Sequence, residues 1–305
     1  MDKRIKRLQS VPDEFLKRLD PIQREVFKAL LKKLGSLETK NGVIVSSVQN
    51  MEIVDSIREF LHQELLSTNY PKAIKDFADE FTAQSKLSKD YFDSAFNVEF
   101  STQVADQAVK QIKTSVVRSL VTDSVQTNFL TPLENTLMVA VNSGASFAET
   151  VSSIRDFIEG NDEVDGRIVQ YSKQIAHDSF ANSDRAYNSA ISDELGIEWF
   201  LWAGGEVAGS RCFCIERHGK YYHYKEIEAW GRGENIGACE TNSGEWAGRN
   251  RSTNEQTIFT YAGGYGCLHT VAGVSIFSVP KEDVLRNVQN GNYRPTQTES
   301  DFFGF

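Results

Sequence analysis

Ile197-Glu198-Trp199-Phe200-Leu201-Trp202, followed at once by Ala203-Gly204-Gly205, is where this chain changes character. Apolar side chains recur along the first six positions in the manner of a strand, and the small residues after them break it. Upstream, the pattern is helical almost without interruption. Downstream lie all four cysteines, Cys212, Cys214, Cys239 and Cys267, with His218, His223 and His269 among them. The predicted class is therefore α+β: a mostly α-helical region over 1–195, then a small α+β module with antiparallel strands over 196–280. A short helix and a flexible tail occupy 281–305.

Working back from the strand, Gly196 ends a long helix predicted over 167–195. Ser146 with Glu149 three residues on makes a capping box, which starts a helix running to Gly160. Earlier helices are expected over 130–141, 101–122, 70–84, 51–66 and 12–34, the last with a break at Asp20-Pro21, where an aspartate can cap a new helix. The acidic turn 161–166 lacks the ligand spacing and closing glutamate of a calcium loop. Working forward, strands are predicted over 213–215, 221–224 and 270–277, with Gly219 turning a hairpin, and a short helix over 280–288. The end of the sequence, Asp301-Phe302-Phe303-Gly304-Phe305, follows a polar stretch and reads as a tether whose aromatics Phe302, Phe303 and Phe305 dock on a partner.

The chain has 305 residues and a net charge of −9. Residues 1–40 hold eleven Lys or Arg against six Asp or Glu, so the remainder carries −14. An acidic bulk disfavours broad duplex binding, which needs many phosphate contacts. No apolar run is long enough to span a bilayer. No apolar segment follows the basic start, so a secretory leader is not expected.

The order of motifs from Ala176 onward is the most specific signal. A polar helix containing Asn182 and Asn188 leads to Trp199 and Trp202, then Ser210-Arg211-Cys212-Phe213-Cys214 and His218-Gly219-Lys220, then Gly263-Gly264-Tyr265-Gly266-Cys267-Leu268-His269. Over 176–279 this order resembles the phage minor head protein family, the Mu-F-like head-morphogenesis proteins. Gly266 and Leu268 stand where that family has Asn and Arg, and the insertion 231–257 is long. The resemblance implies a minor virion protein of a tailed phage. Such a protein binds portal or capsid partners during head assembly and DNA passage, contacts DNA at most transiently, and has no membrane association. It resides in the virion and, during assembly, in the host cytoplasm, and is not an enzyme.

Beside that resemblance, the residues allow three states of the thiols. Cys212 and Cys214, two apart on a predicted strand, point the same way and with Cys267 and His269 make a Cys3His set for a structural zinc ion. A disulfide from Cys212 or Cys214 to Cys267, with Cys239 as a further candidate, is the second. Buried free thiols are the third. Trp199, Arg211, Gly219, Gly263 and Gly264 are architectural residues of the module in each. A thiol enzyme pairing Cys212 or Cys214 with His218 or His269 lacks a recognisable protease signature, and a zinc hydrolase lacks His-Glu-x-x-His. A zinc- or thiol-dependent enzyme and a nucleic-acid-binding protein remain the alternatives to the head protein.

Overall fold

A computed structural model describes residues 2–205 and 209–305. The helical body with a small antiparallel sheet near the C-terminal end is observed. The compact units, however, are not 1–195 and 196–280. One comprises Met1–Ser10, Glu80–Lys113 and His177–Phe305; the other comprises Val11–Asp79 and Thr114–Ala176.

The second unit is built from helices α2 (Leu19–Leu34), α3 (Val48–Ser67), α6 (Thr131–Ser143) and α7 (Phe147–Glu159), with parts of α1 (Asp2–Lys17), α4 (Tyr70–Phe96), α5 (Gln103–Arg118) and α8 (Arg167–Glu194). Its core is a set of stripes at helical spacing: Ile22, Val26 and Leu30 of α2, Val54, Ile57 and Leu61 of α3, Leu133, Leu137 and Val141 of α6, Ile154 and Ile158 of α7. The N-cap half of the predicted box is present, Ser146 accepting from the Glu149 N–H.

Two features of this unit departed from expectation. Strands β1 (Thr39–Lys40) and β2 (Val43–Ile44) form a hairpin around Asn41-Gly42, both at positive φ. Asn-Gly is the two-residue turn that matches strand twist, so the signal was present in the sequence. Asn50 clamps the hairpin, binding the Glu38 N–H, the Glu38 carbonyl and the Val45 carbonyl. The second departure is the missing break before α6. The helix continues through Ser119–Asp123 and Gln126–Leu130 as π-helical turns, with Ser124 N–H bonding Ser119 O and Thr131 N–H bonding Gln126 O. Pro132 has no N–H to offer the Asn128 carbonyl; Arg167 Nε bonds that carbonyl at 2.9 Å.

The first unit is organised by the sheet. Strand β3 (Trp199–Ala203) lies between β4 (Tyr221–His223) and β5 (Thr270–Val274), antiparallel to both, with Trp199 opposite His223 and Val274. Both faces of β3 are covered, because successive side chains point opposite ways. Phe200 and Trp202 enter one core with Phe213, Cys214, Trp230, Trp246 and Cys267. Trp199 enters another with Val274, Val279, Val284 and Phe303.

Three sequence expectations need correction in this unit. Residues 213–215 are not a strand: Cys212–Arg217 is helix α9. The expected short helix is α12 (Lys281–Gln289), but the segment after it is not a tether: it holds α13 (Gln297–Phe303), closed at its start by a Thr296/Glu299 capping box and at its end by Gly304 in the left-handed region. Phe303 is buried, so only Phe302 and Phe305 of the three proposed docking aromatics are exposed. Phe302 leans edge-on against Phe277, and Phe305 stacks on Phe303. The remaining helices, α10 (Tyr224–Gly231) and α11 (Ile258–Tyr261), flank the cysteine-bearing core. No described helix is long and apolar enough to cross a membrane.

Candidate functional site

The two cysteine-bearing segments meet, but not in the predicted grouping. Cys212 is bonded to Cys239 in a disulfide, so it is not a fourth ligand of a Cys3His centre. In a helix, residues two apart face different directions. Cys212 therefore points outward to the long insertion while Cys214 points into the core. The disulfide spans 27 positions, and loop closure of that size stabilises by about 3–4 kcal/mol on a chain-entropy argument. The insertion is held a second time by Trp246, which stacks on Phe213 at 4.0 Å and donates from Nε1 to the Gly263 carbonyl at 3.0 Å.

Cys214 and Cys267 are free thiols, both buried, with Sγ atoms 3.6 Å apart. His269 Nδ1 lies 4.0 Å from Cys267 Sγ, and its Nε2 lies 3.2 Å from His218 Nδ1. Cys214, Cys267 and His269 are all at most 3% exposed. The two thiols are driven apart in acidity. The hydrogen bond from Cys214 pulls the Cys267 thiol well below its usual range, helped by His269 and by the Arg185 charge. The same hydrogen bond, together with burial, pushes Cys214 up.

Two glycines leave room for this cluster. A Cβ at Gly263 would sit 2.1 Å from Cys214 Sγ, and a Cβ at Gly204 would sit 2.7 Å from the His269 Cα. Gly264 has φ +97°, and a Cβ there would meet the Gly248 carbonyl oxygen at 2.0 Å, so both glycines of the Gly263-Gly264 pair have a steric reason. Gly219, at φ +70°, turns the chain from α9 into β4 and donates its N–H to the Trp202 carbonyl. Arg211 precedes α9 and donates to the Tyr265 carbonyl, tying the two cysteine segments together on the outside. Trp199 is buried on the opposite face of the sheet, edge-on to His223.

Arg217 is buried and faces the Glu216 carboxylate at 3.7 Å. Its guanidinium lies 3.8 Å from the Phe213 ring centroid and 4.2 Å from that of Trp230, and donates to the Phe213 and Ile236 carbonyls. Tyr222 packs edge to face on Trp230 at the margin of the same core. Beside them an open groove of about 1170 Å³ is lined by acids and bases together, among them Glu216, Lys225, Glu228 and Arg232, and does not reach the free thiols.

Two residues of α8 were not singled out in advance. Arg185, fully buried, donates to the carbonyls of Thr260, Cys267 and His269 and to Asn182 Oδ1. It thereby fixes the backbone on both sides of Leu268. Asp184, equally buried, accepts from Gln84, Ser88, Asn188 and Thr270 and faces Arg4 at 3.8 Å. The polar face of this helix is visible in the sequence, but a polar face reads as solvated until its partners are known. The N-terminal bases are engaged too: Arg4 is 3% exposed and Arg7 pairs with Glu80. No family model, no curated protein and no solved structure matches this chain.

Proposed function

We propose that this chain is a minor structural protein of a tailed-phage head, acting at the portal or capsid during head assembly and DNA passage. The reading rests on the motif order from Ala176 to His269 and is carried by one observation: the Arg-Cys segment and the Gly-Gly-Tyr-Gly-Cys-Leu-His turn, 53 positions apart at their cysteines, close on each other at 3.6 Å. Arg211, donating to the Tyr265 carbonyl, ties the two segments together, Arg185 locks the turn that bears Cys267, and Gly263 leaves room for the approach. Such a knob presents a fixed surface to partners, and its sulfur atoms lie inside, away from any incoming substrate. This favours docking over turnover. The engagement of Arg4 and Arg7 within the fold likewise disfavours a DNA-binding role for the N-terminus.

Mass spectrometry of density-purified particles, from cells in which the phage carrying this gene has grown, provides the test. The expected result is this polypeptide at a small number of copies per particle, retained after washing in high salt. Its absence from DNA-filled particles would sink the reading.

A further inference from the structure

We propose that Cys214, Cys267 and His269 hold one zinc ion, with His218 as the residue that orients the histidine ligand. This stands independently of the head-protein reading. The three donor atoms lie within 4.8 Å of one another, and all three residues are buried. Zinc takes sulfur at about 2.3 Å and imidazole nitrogen at about 2.0–2.1 Å, so a tetrahedral ion sets S···S near about 3.8 Å and S···N near about 3.6 Å. The observed sulfur separation, 3.6 Å, lies a little under its value, and Cys267 Sγ to His269 Nδ1, 4.0 Å, lies a little over.

The surroundings are those of a ligand set. His269 uses Nε2 toward His218 Nδ1 at 3.2 Å. With the proton on Nε2, His269 donates to His218 and keeps the Nδ1 lone pair for the metal. A histidine ligand is commonly steered in this way by a hydrogen bond at its other nitrogen. Arg185 locks the Cys267 and His269 carbonyls, so two of the three donors come from one immobilised turn. Among the described residues Arg185 has no carboxylate partner, and a positive charge beside the thiols suits sulfur in its anionic, metal-binding form. Gly263 and Gly204 keep side chains out of the space the ion requires. Two thiolates and an imidazole in tetrahedral disposition select zinc over harder divalent cations. Among the described residues no fourth Cys, His, Asp or Glu donor joins the three.

The experiment uses the full chain without a polyhistidine tag, loaded with zinc, dialysed against metal-free buffer and assayed by elemental mass spectrometry. The expected result is one zinc per chain, falling to background in Cys214→Ser and Cys267→Ser. Because those variants can misfold, cobalt titration of the unmodified chain provides a second measurement. A thiolate-to-cobalt charge-transfer band is expected, saturating at one equivalent and reversed by zinc. His218→Gln should keep that stoichiometry while weakening affinity about 10–100-fold, as loss of an orienting partner does. No zinc above the dialysis blank, no charge-transfer band, or zinc retained in full by both cysteine variants would each overturn the proposal. So would an intact mass showing Cys214 joined to Cys267.

Discussion

His223 shows how one residue can carry a structural duty that its chemistry opposes at low pH. Its ring is buried, and Nδ1 accepts the Lys225 N–H that begins α10, so the imidazole must be neutral. Burial, with a smaller contribution from Lys225, lowers its pKa from 6.5 to about 4. Above pH 6.5 both folded and unfolded chains hold it neutral. Between about 6.5 and 4 the unfolded chain takes up a proton that the folded chain refuses, so stability falls as pH falls, by at most about 1.4 kcal/mol per pH unit. Below about 4 both states are protonated and the loss levels off. His223→Asn keeps a capping acceptor without the titration. Thermal melts across this range should therefore show a shallower decline for the variant than for the parent, and identical slopes would refute the assignment. At this scale the sequence was partly legible. It exposed the residue types gathered at the cysteines, including Gly263 and Gly264, but not that Cys212 and Cys214 face apart. That depends on α9 being helical, and a Cys-x-Cys spacing is equally compatible with a strand.

Among the elements, α13 is the one least expected and the one most dependent on its cap. Seven residues cannot sustain a helix alone. Two contributions hold this one: the reciprocal box, in which Thr296 N–H meets Glu299 Oε2 at 2.6 Å and the Glu299 N–H meets Thr296 Oγ1, and the burial of Phe303 against Trp199, Val279 and Val284. Thr296→Ala should cost about 1 kcal/mol. Because the helix is local and terminal, that cost should appear as faster amide exchange over 297–303 with little change in the global melting temperature. Unaltered exchange there would mean that Phe303 alone holds the segment. The Thr-x-x-Glu pattern stood in the sequence, but the Asn- and Gly-rich stretch before it suggested a tether. The long helices were legible because their apolar stripes repeat over many turns. So were the three strands β3, β4 and β5, but not their order in the sheet, and a fourth strand was read at 213–215 where the chain is helical.

For the molecule as a whole, the cysteine module is not a self-contained bead after a helical stalk. Thr270, at the start of β5, donates to Asp184, which also binds Gln84, Ser88 and Asn188 and faces Arg4. Tyr91 donates to the Gly273 carbonyl, and Gly273 packs so closely on Ser192 that a Cβ would come within 2.5 Å of its hydroxyl. A single unit is thus assembled from three separate stretches of sequence. Boundaries drawn from composition cannot find it, because the partners of a buried carboxylate are scattered along the chain. A fragment beginning at 196 would keep the sheet and the Cys212–Cys239 disulfide. It would lose Arg185 from the Cys267 and His269 carbonyls and Asp184 from Thr270, leaving buried polar groups unpaired at about 1–3 kcal/mol each. It would also expose the face of β5 that α8 covers. For a domain whose whole stability is about 5–15 kcal/mol, such losses together suffice to abolish cooperative folding. The 196–305 fragment should therefore give a poorly dispersed amide spectrum and no sharp thermal transition. A well-dispersed spectrum with a cooperative melt would show instead that the sheet and disulfide are enough, and that the polar network of α8 serves something other than folding.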